Sequence, residues 1–144
     1  MSNKKEIIIK ATKLKKSFIT GDTEQTIFEN LDLNIYRGDF TVIMGSSGAG
    51  KSTLMYSLSG MDRPSSGEVV WNDKTITSLS DDRLAIFRRK NCGFVFQQNY
   101  LNDSMSVLDN VMICGLLMSK DREKLAKKAK ELLFKFARSN IITS

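Results

Sequence analysis

Two stretches of alternating apolar and polar residues open the chain. KEIIIKATKLKKSF reads as a strand ending near Phe18. After the polar turn TGDTEQ, the stretch TIFENLDLNIY sets Ile27, Leu31, Leu33 and Ile35 between polar neighbours and reads as a second, half-buried strand. RGD turns the chain, and residues 40–44, apolar or β-branched within DFTVIM, predict a short buried strand. The period then becomes helical: KSTLMYSLSG turns Leu54, Met55 and Leu58 to one side and has Gly60 as its stop. DRPSSG, with the sole proline Pro64, is a turn, and EVVWNDKTIT reads as a hairpin about Asn72-Asp73. Ser80 is placed to cap DDRLAIFRR, whose acids fall in the first turn and arginines in the last, as the helix dipole favours. CGFVFQ predicts another buried strand, with Gln97 exposed at its carboxyl end. MSVLDNVMICGLLM and REKLAKKAKELLFKFAR predict helices, the second with Leu125, Ala129, Leu132, Leu133 and Phe136 as a core-facing stripe.

One segment carries chemistry. GSSGAGKST, residues 45–53, places Gly45, Gly50, Lys51 and Ser52 in the order G-x-x-x-x-G-K-[ST], between a predicted strand and a predicted helix. Small residues (Gly45, Ser46, Ser47, Gly48, Ala49 and Gly50) let successive backbone N–H groups face an anion, and the helix N-terminus adds partial positive charge at the same spot. Lys51 is suited to neutralise terminal phosphates, and the Ser52 hydroxyl, followed by Thr53, to ligate Mg²⁺. The expected ligand is a nucleotide.

Composition narrows the rest. At 144 residues, 41% hydrophobic and 26% charged, one soluble domain with a sizeable core is expected. The longest apolar run, VMICGLLM, is too short to span a bilayer, and MSNKKEIII does not read as a signal peptide. A cytosolic chain is expected, at a membrane only through a partner. Cys92 and Cys114 have no metal-ligand spacing, and the absence of histidine excludes a Cys/His zinc site and a histidine base. The net charge of +6 gathers in KATKLKK and in the lysine face of the last helix. With no aromatic interleaving and no nucleic-acid module, no nucleic-acid partner is expected.

The phosphate loop, SGMDRPSSGEV, LAIFRRKNCGFVFQQNYL and SVLDNV, at these intervals, resemble the first part of an ABC-transporter ATPase. Similarity is greatest to the subgroup serving lipoprotein release, macrolide export, cell division and antimicrobial-peptide transport. The resemblance implies an α/β fold: a P-loop nucleotide-binding domain with an antiparallel β element and a helical segment. It implies a nucleotide-binding core over 1–104 and the start of a helical subdomain over 105–144. ATP and Mg²⁺ are the implied ligands. Phe18 matches the aromatic that stacks on adenine, although Tyr is usual there. Gln97 matches the glutamine that reaches Mg²⁺ while contacting the transmembrane partner; QNYL follows it where an aromatic-Asn pair is common. The implied partners are a permease subunit and a second copy of the ATPase, at the inner face of the cell membrane.

That family hydrolyses ATP with an apolar run ending in Asp-Glu, an LSGGQ-type signature and a later histidine. None is found. Leu58-Ser59-Gly60 lies at the end of the phosphate-loop helix and runs into DRP, Asp73 lies in the hairpin with no glutamate after it, and Asp109 follows too short an apolar run. The chain is therefore expected to stop, at NIITS, before the signature, with no complete catalytic set. In this fold the strand before the loop is flanked by later strands, so residues 40–44 are expected to lack neighbours. The function so expected is ATP binding within an efflux or extraction transporter. Other readings of the same residues are a small-molecule kinase, a non-transport ABC protein, or a basic binding module that retains a P-loop.

Overall fold

The computed structural model describes residues 5–141, with side chains through residue 137. MSNK and the last residues of NIITS lie outside the described residues. The chain divides into two compact units at Cys92/Gly93.

The first unit is an antiparallel sheet with two helices packed on it. Strands β1 (Ile7–Thr20), β2 (Thr23–Tyr36), β3 (Ser66–Trp71) and β4 (Lys74–Thr75) lie in the order β2-β1-β3-β4. β1 and β2 run into the polar TGDTEQ stretch, leaving only Gly21 and Asp22 as the turn. The β3–β4 turn forms at Asn72-Asp73, with φ of 43° and 64°. Such left-handed pairs twist in the sense that a two-residue hairpin needs.

β1 is not a simple alternation. Ile9 and Ala11 are buried, and so are Leu14 and Lys16, which are out of phase by one residue. A bulge between Ala11 and Leu14 resets the phase, with Lys13 at φ 47° and its amide donating to Asp32 Oδ1 at 2.7 Å. On the other side, β3 passes so close that a Cβ on Gly67 would collide with the Lys13 carbonyl oxygen and lie 2.7 Å from Leu14 Cα. Only glycine fits beside this bulge.

Helix α1 (Lys51–Ser59) and helix α2 (Asp81–Asn91) cover one face of the sheet. Leu54 and Leu58 of α1, Leu84 and Phe87 of α2 and Ile76 close over Ile9, Ala11, Leu14 and Val69. Met55 is exposed rather than core-facing, because it stands 100° around the helix from Leu54. Ser80 occupies the N-cap of α2 but makes no side-chain bond there; Asp81 instead pairs with Arg63 at 2.7 Å. Arg37 forks onto Glu6 at 2.7 and 3.0 Å and reaches Asn72 at 2.9 Å, holding the Glu6 carboxyl below its ordinary pKa.

Two expected strands are absent. Residues 40–44 and 92–97 adopt no strand conformation, and the four-stranded sheet includes neither. Phe40 is 94% exposed and Val95 98%. Apolar content favours a strand only if its amides and carbonyls find ladder partners. Neither segment has a ladder partner in the four-stranded sheet.

The second unit pairs α3 (Val107–Leu116) with α4 (Arg122–Ile141). Ser106 caps α3, accepting from the Asp109 amide at 3.1 Å while its hydroxyl donates to Asp109 Oδ2 at 2.6 Å. Arg122 ties the start of α4 to Asp109 at 2.9 Å. A Cβ on Gly115 would lie 2.7 Å from Leu125 Cδ2, so the helices approach closely there. The expected apolar stripe of α4 holds for only part of its length. Ala129 is buried and Leu125 and Leu133 are half-buried, but Leu132 and Phe136 are exposed.

Burial pushes the Cys92 thiol up, partly opposed by Arg88, whereas Cys114 is exposed. Since the thiolate is the reactive form, iodoacetamide at pH 8 should label Cys114 several-fold faster than Cys92. Equal rates in the folded chain would contradict this placement.

Candidate functional site

Residues 45–50 form an irregular exposed loop that feeds directly into α1. Gly48 and Gly50 both hold φ 78°, the left-handed region that lets consecutive amides turn to one side. At Gly48 the surroundings are open, so conformation alone requires glycine; at Gly50 a Cβ would also collide with Ile27 Cγ2 of β2. The Ala49 amide donates to the Ser46 carbonyl at 3.3 Å, tightening the loop. The first α1 turn closes with the Leu54 amide on the Gly50 carbonyl at 2.8 Å. The amides of Lys51, Ser52 and Thr53 precede it, at the end of a helix where N–H groups have no intrahelical partner.

Lys51 spans the loop. Its Nζ donates to the Gly45 carbonyl at 3.0 Å and to the Ser46 carbonyl at 2.6 Å. A full positive charge thus stands with the loop amides and the positive end of the α1 dipole. Ser52 is exposed in the first turn, with its hydroxyl beside that charge cluster in sequence, and Thr53 is half-buried. The other end of α1 is clamped. Trp71 Nε1 donates to the Leu58 carbonyl at 2.7 Å and the Arg88 guanidinium to the Gly60 carbonyl. A cation at a helix C-terminus is favourable, and the clamp fixes the direction of the helix.

Phe18 stands near the end of β1. Phe18 pairs with Gln25 across β1 and β2, and Ile27, two residues further along β2, is the residue that meets Gly50. The Phe18 ring is 44% exposed, with the Lys16 ammonium 4.9 Å from its centroid. Gln97 lies in the second unit, exposed in an irregular segment and flanked by a Phe94–Phe96 stack and an edge contact of Phe96 with Tyr100.

A loop of turned-in amides, a helix N-terminus and a lysine ammonium suits a polyphosphate. Known proteins agree. The pattern of the family described as ABC transporter matches residues 28–143. The chain is 39% identical over 126 residues to the uncharacterized ABC transporter ATP-binding protein MJ1508 of Methanocaldococcus jannaschii, covering 88% of this chain and 56% of that protein. It is 39% identical, over the same length and coverage, to the lipoprotein-releasing system ATP-binding protein LolD of Syntrophotalea carbinolica. With the macrolide export ATP-binding/permease protein MacB of Bdellovibrio bacteriovorus it shares 44% identity over 108 residues, 75% of this chain and 16% of that one. In space it resembles the dimeric ATP-binding cassette MJ0796 in a post-hydrolysis state bound to ADP and Pi. That likeness has a TM-score of 0.80 and 34% identity, over 86% of this chain and 55% of the other. The chain spans about half the length of the ATP-binding proteins it matches. A family match running from within β2 past the end of α4 decides between the readings that the phosphate loop alone left open: the chain belongs to the ABC transporter family.

Proposed function

We propose that this chain is the phosphate-binding part of an ABC transporter's ATP-binding subunit, holding Mg·ATP at residues 45–53. The observation that carries the reading is the loop itself, with Lys51 drawn across it to Gly45 and Ser46 at the N-terminus of α1. Backbone amides of residues 46–53 would receive the phosphate oxygens, and Lys51 would turn its charge to the outermost ones. Ser52, and by resemblance Gln97, would hold Mg²⁺, which when bound neutralises charge on the phosphates. Phe18 would supply an aromatic face for adenine. Residues 1–104 would form the nucleotide-binding core and 105–144 open the helical subdomain that meets a membrane partner.

The whole protein's activity belongs to the same proposal. Two copies would close on ATP and hydrolyse it, driving a permease that extracts or exports a substrate, with the subunit on the cytoplasmic face of the membrane. Among the described residues no helix is long and apolar enough to cross a membrane; in this reading the permease would provide the attachment. LolD and MacB are named for lipoprotein release and macrolide export; this chain's own substrate would be selected by the permease.

Calorimetric titration tests the reading. Saturable binding of Mg·ATP is expected, and a folded chain that takes up no Mg·ATP would contradict it. Turnover is a separate matter. Phosphoryl transfer needs a positioned water, metal and charge stabilisation together, and these 144 residues contain no histidine and no apolar run ending in Asp-Glu. The purified chain should hydrolyse ATP no faster than its Lys51→Ala variant. Steady phosphate release that the substitution abolishes would show a base among these residues.

A further inference from the structure

Burying an ammonium is costly unless it is paired and hydrogen-bonded, and Lys16 is buried. It lies 2.7 Å from Asp62 Oδ2 and donates to the Arg63 carbonyl at 2.7 Å. The same nitrogen is 4.9 Å from the centre of the Phe18 ring, on the residue two further along β1 and hence on the same face. The segment that grips Lys16 is itself anchored. The Asp62 amide donates to the Tyr56 carbonyl in the last turn of α1 at 3.2 Å, and the Ser65 amide to the Lys15 carbonyl at 2.8 Å. Arg63 reaches Asp81 and the Leu79 carbonyl. One ammonium therefore links the far end of the phosphate-loop helix to a half-exposed aromatic ring.

We propose that Lys16 is a positioning residue for the base of the bound nucleotide. Its ammonium backs one face of Phe18 and holds the ring so that the opposite face is free to stack on a purine. This rests on the reading of Phe18 as the adenine platform. A cation is attracted to the face of an aromatic ring, and a ring already held in place loses less freedom when a base stacks on it. The Lys16–Asp62 pair also fastens the segment after α1 to β1, so the test must separate positioning from simple fastening.

The separating probe is Mg·tripolyphosphate, which offers phosphates and no base. Its dissociation constant and that of Mg·ATP are measured on the whole chain and its variants. Phe18→Ala should cost about tenfold in ATP affinity, a typical loss for one base–aromatic stack. Lys16→Met should cost about threefold for ATP, in the range of an exposed cation–π contact, and nothing for tripolyphosphate. Added to Phe18→Ala, Lys16→Met should change nothing more. Asp62→Asn, which keeps the lysine and removes its carboxylate, should also weaken ATP alone, and it decides the matter if Lys16→Met does not fold. If Phe18→Ala is selective for ATP while Lys16→Met or Asp62→Asn weakens both ligands equally, or neither, the positioning role is overturned and the Phe18 reading stands. If Phe18→Ala leaves the ratio of the two constants unchanged, the Phe18 reading falls and takes this proposal with it.

Discussion

Replacing Lys51 with alanine should weaken Mg·ATP binding by about tenfold to a hundredfold. A hydrogen bond to a charged group contributes about 1.5–3 kcal/mol, and each 1.4 kcal/mol is about tenfold in affinity. Lys51 bridges the Gly45 and Ser46 carbonyls, at 3.0 and 2.6 Å, and so shapes the loop; in the proposed function it would also reach the phosphates. Alanine removes both. The fold should survive, because α1 is held from its other end by Trp71 and by Leu54 and Leu58 in the core. Trp71 emission should therefore be unchanged while the calorimetric isotherm flattens. Superimposable isotherms from two folded proteins would remove Lys51 from the site.

Leu14→Ala should lower the stability of the first unit by about 2–5 kcal/mol, the usual cost of cutting a buried leucine to alanine. Leu14 is fully buried just past the β1 bulge, within the cluster formed with Leu54, Leu58, Leu84 and Phe87. A loss of this size is a large part of the roughly 5–15 kcal/mol that holds a domain together. Ile19→Ala is the internal control. It removes a similar aliphatic group from the same strand, but Ile19 is 80% exposed and its loss should stay within about 0.5 kcal/mol. Urea unfolding followed by Trp71 fluorescence measures both. Equal midpoints for the two variants would mean that the core is not where the structure has it.

What could be read from the sequence followed the range of the interaction concerned. The Asn72-Asp73 hairpin, the Gly60 stop and the charge order of α2 are set by neighbouring residues, so local chemistry sufficed. The phosphate loop is a contiguous run and the helix after it was legible, whereas the strand expected before it does not form. The bulge at Lys13 was not legible. It is an agreement among three strands, and alternation alone assigns Ala11 and Leu14 to opposite faces although both are buried. Residues 40–44 and 92–97 show the complementary limit, since apolar runs such as TVIM and FVF state a preference for burial without supplying partners. The burial of Lys16 is not legible in the sequence, because lysine in a strand ordinarily faces water and the carboxylate that permits its burial lies far along the chain at Asp62. Phe18 and Gln97 entered as site residues through family resemblance alone. In the sheet Phe18 pairs with Gln25, two residues from the Ile27 that a Cβ on Gly50 would meet.

Hydrogen exchange with and without saturating Mg·ATP tests most directly that the phosphates sit in the 45–53 loop. The amides of residues 46–53 lie in an exposed loop and the first turn of a helix, so they should exchange quickly in the free chain. Bound phosphate oxygens would accept from those same N–H groups, and exchange there should slow more than anywhere else in the first unit. Slowed exchange confined to other segments, with residues 46–53 unchanged at saturation, would contradict the account.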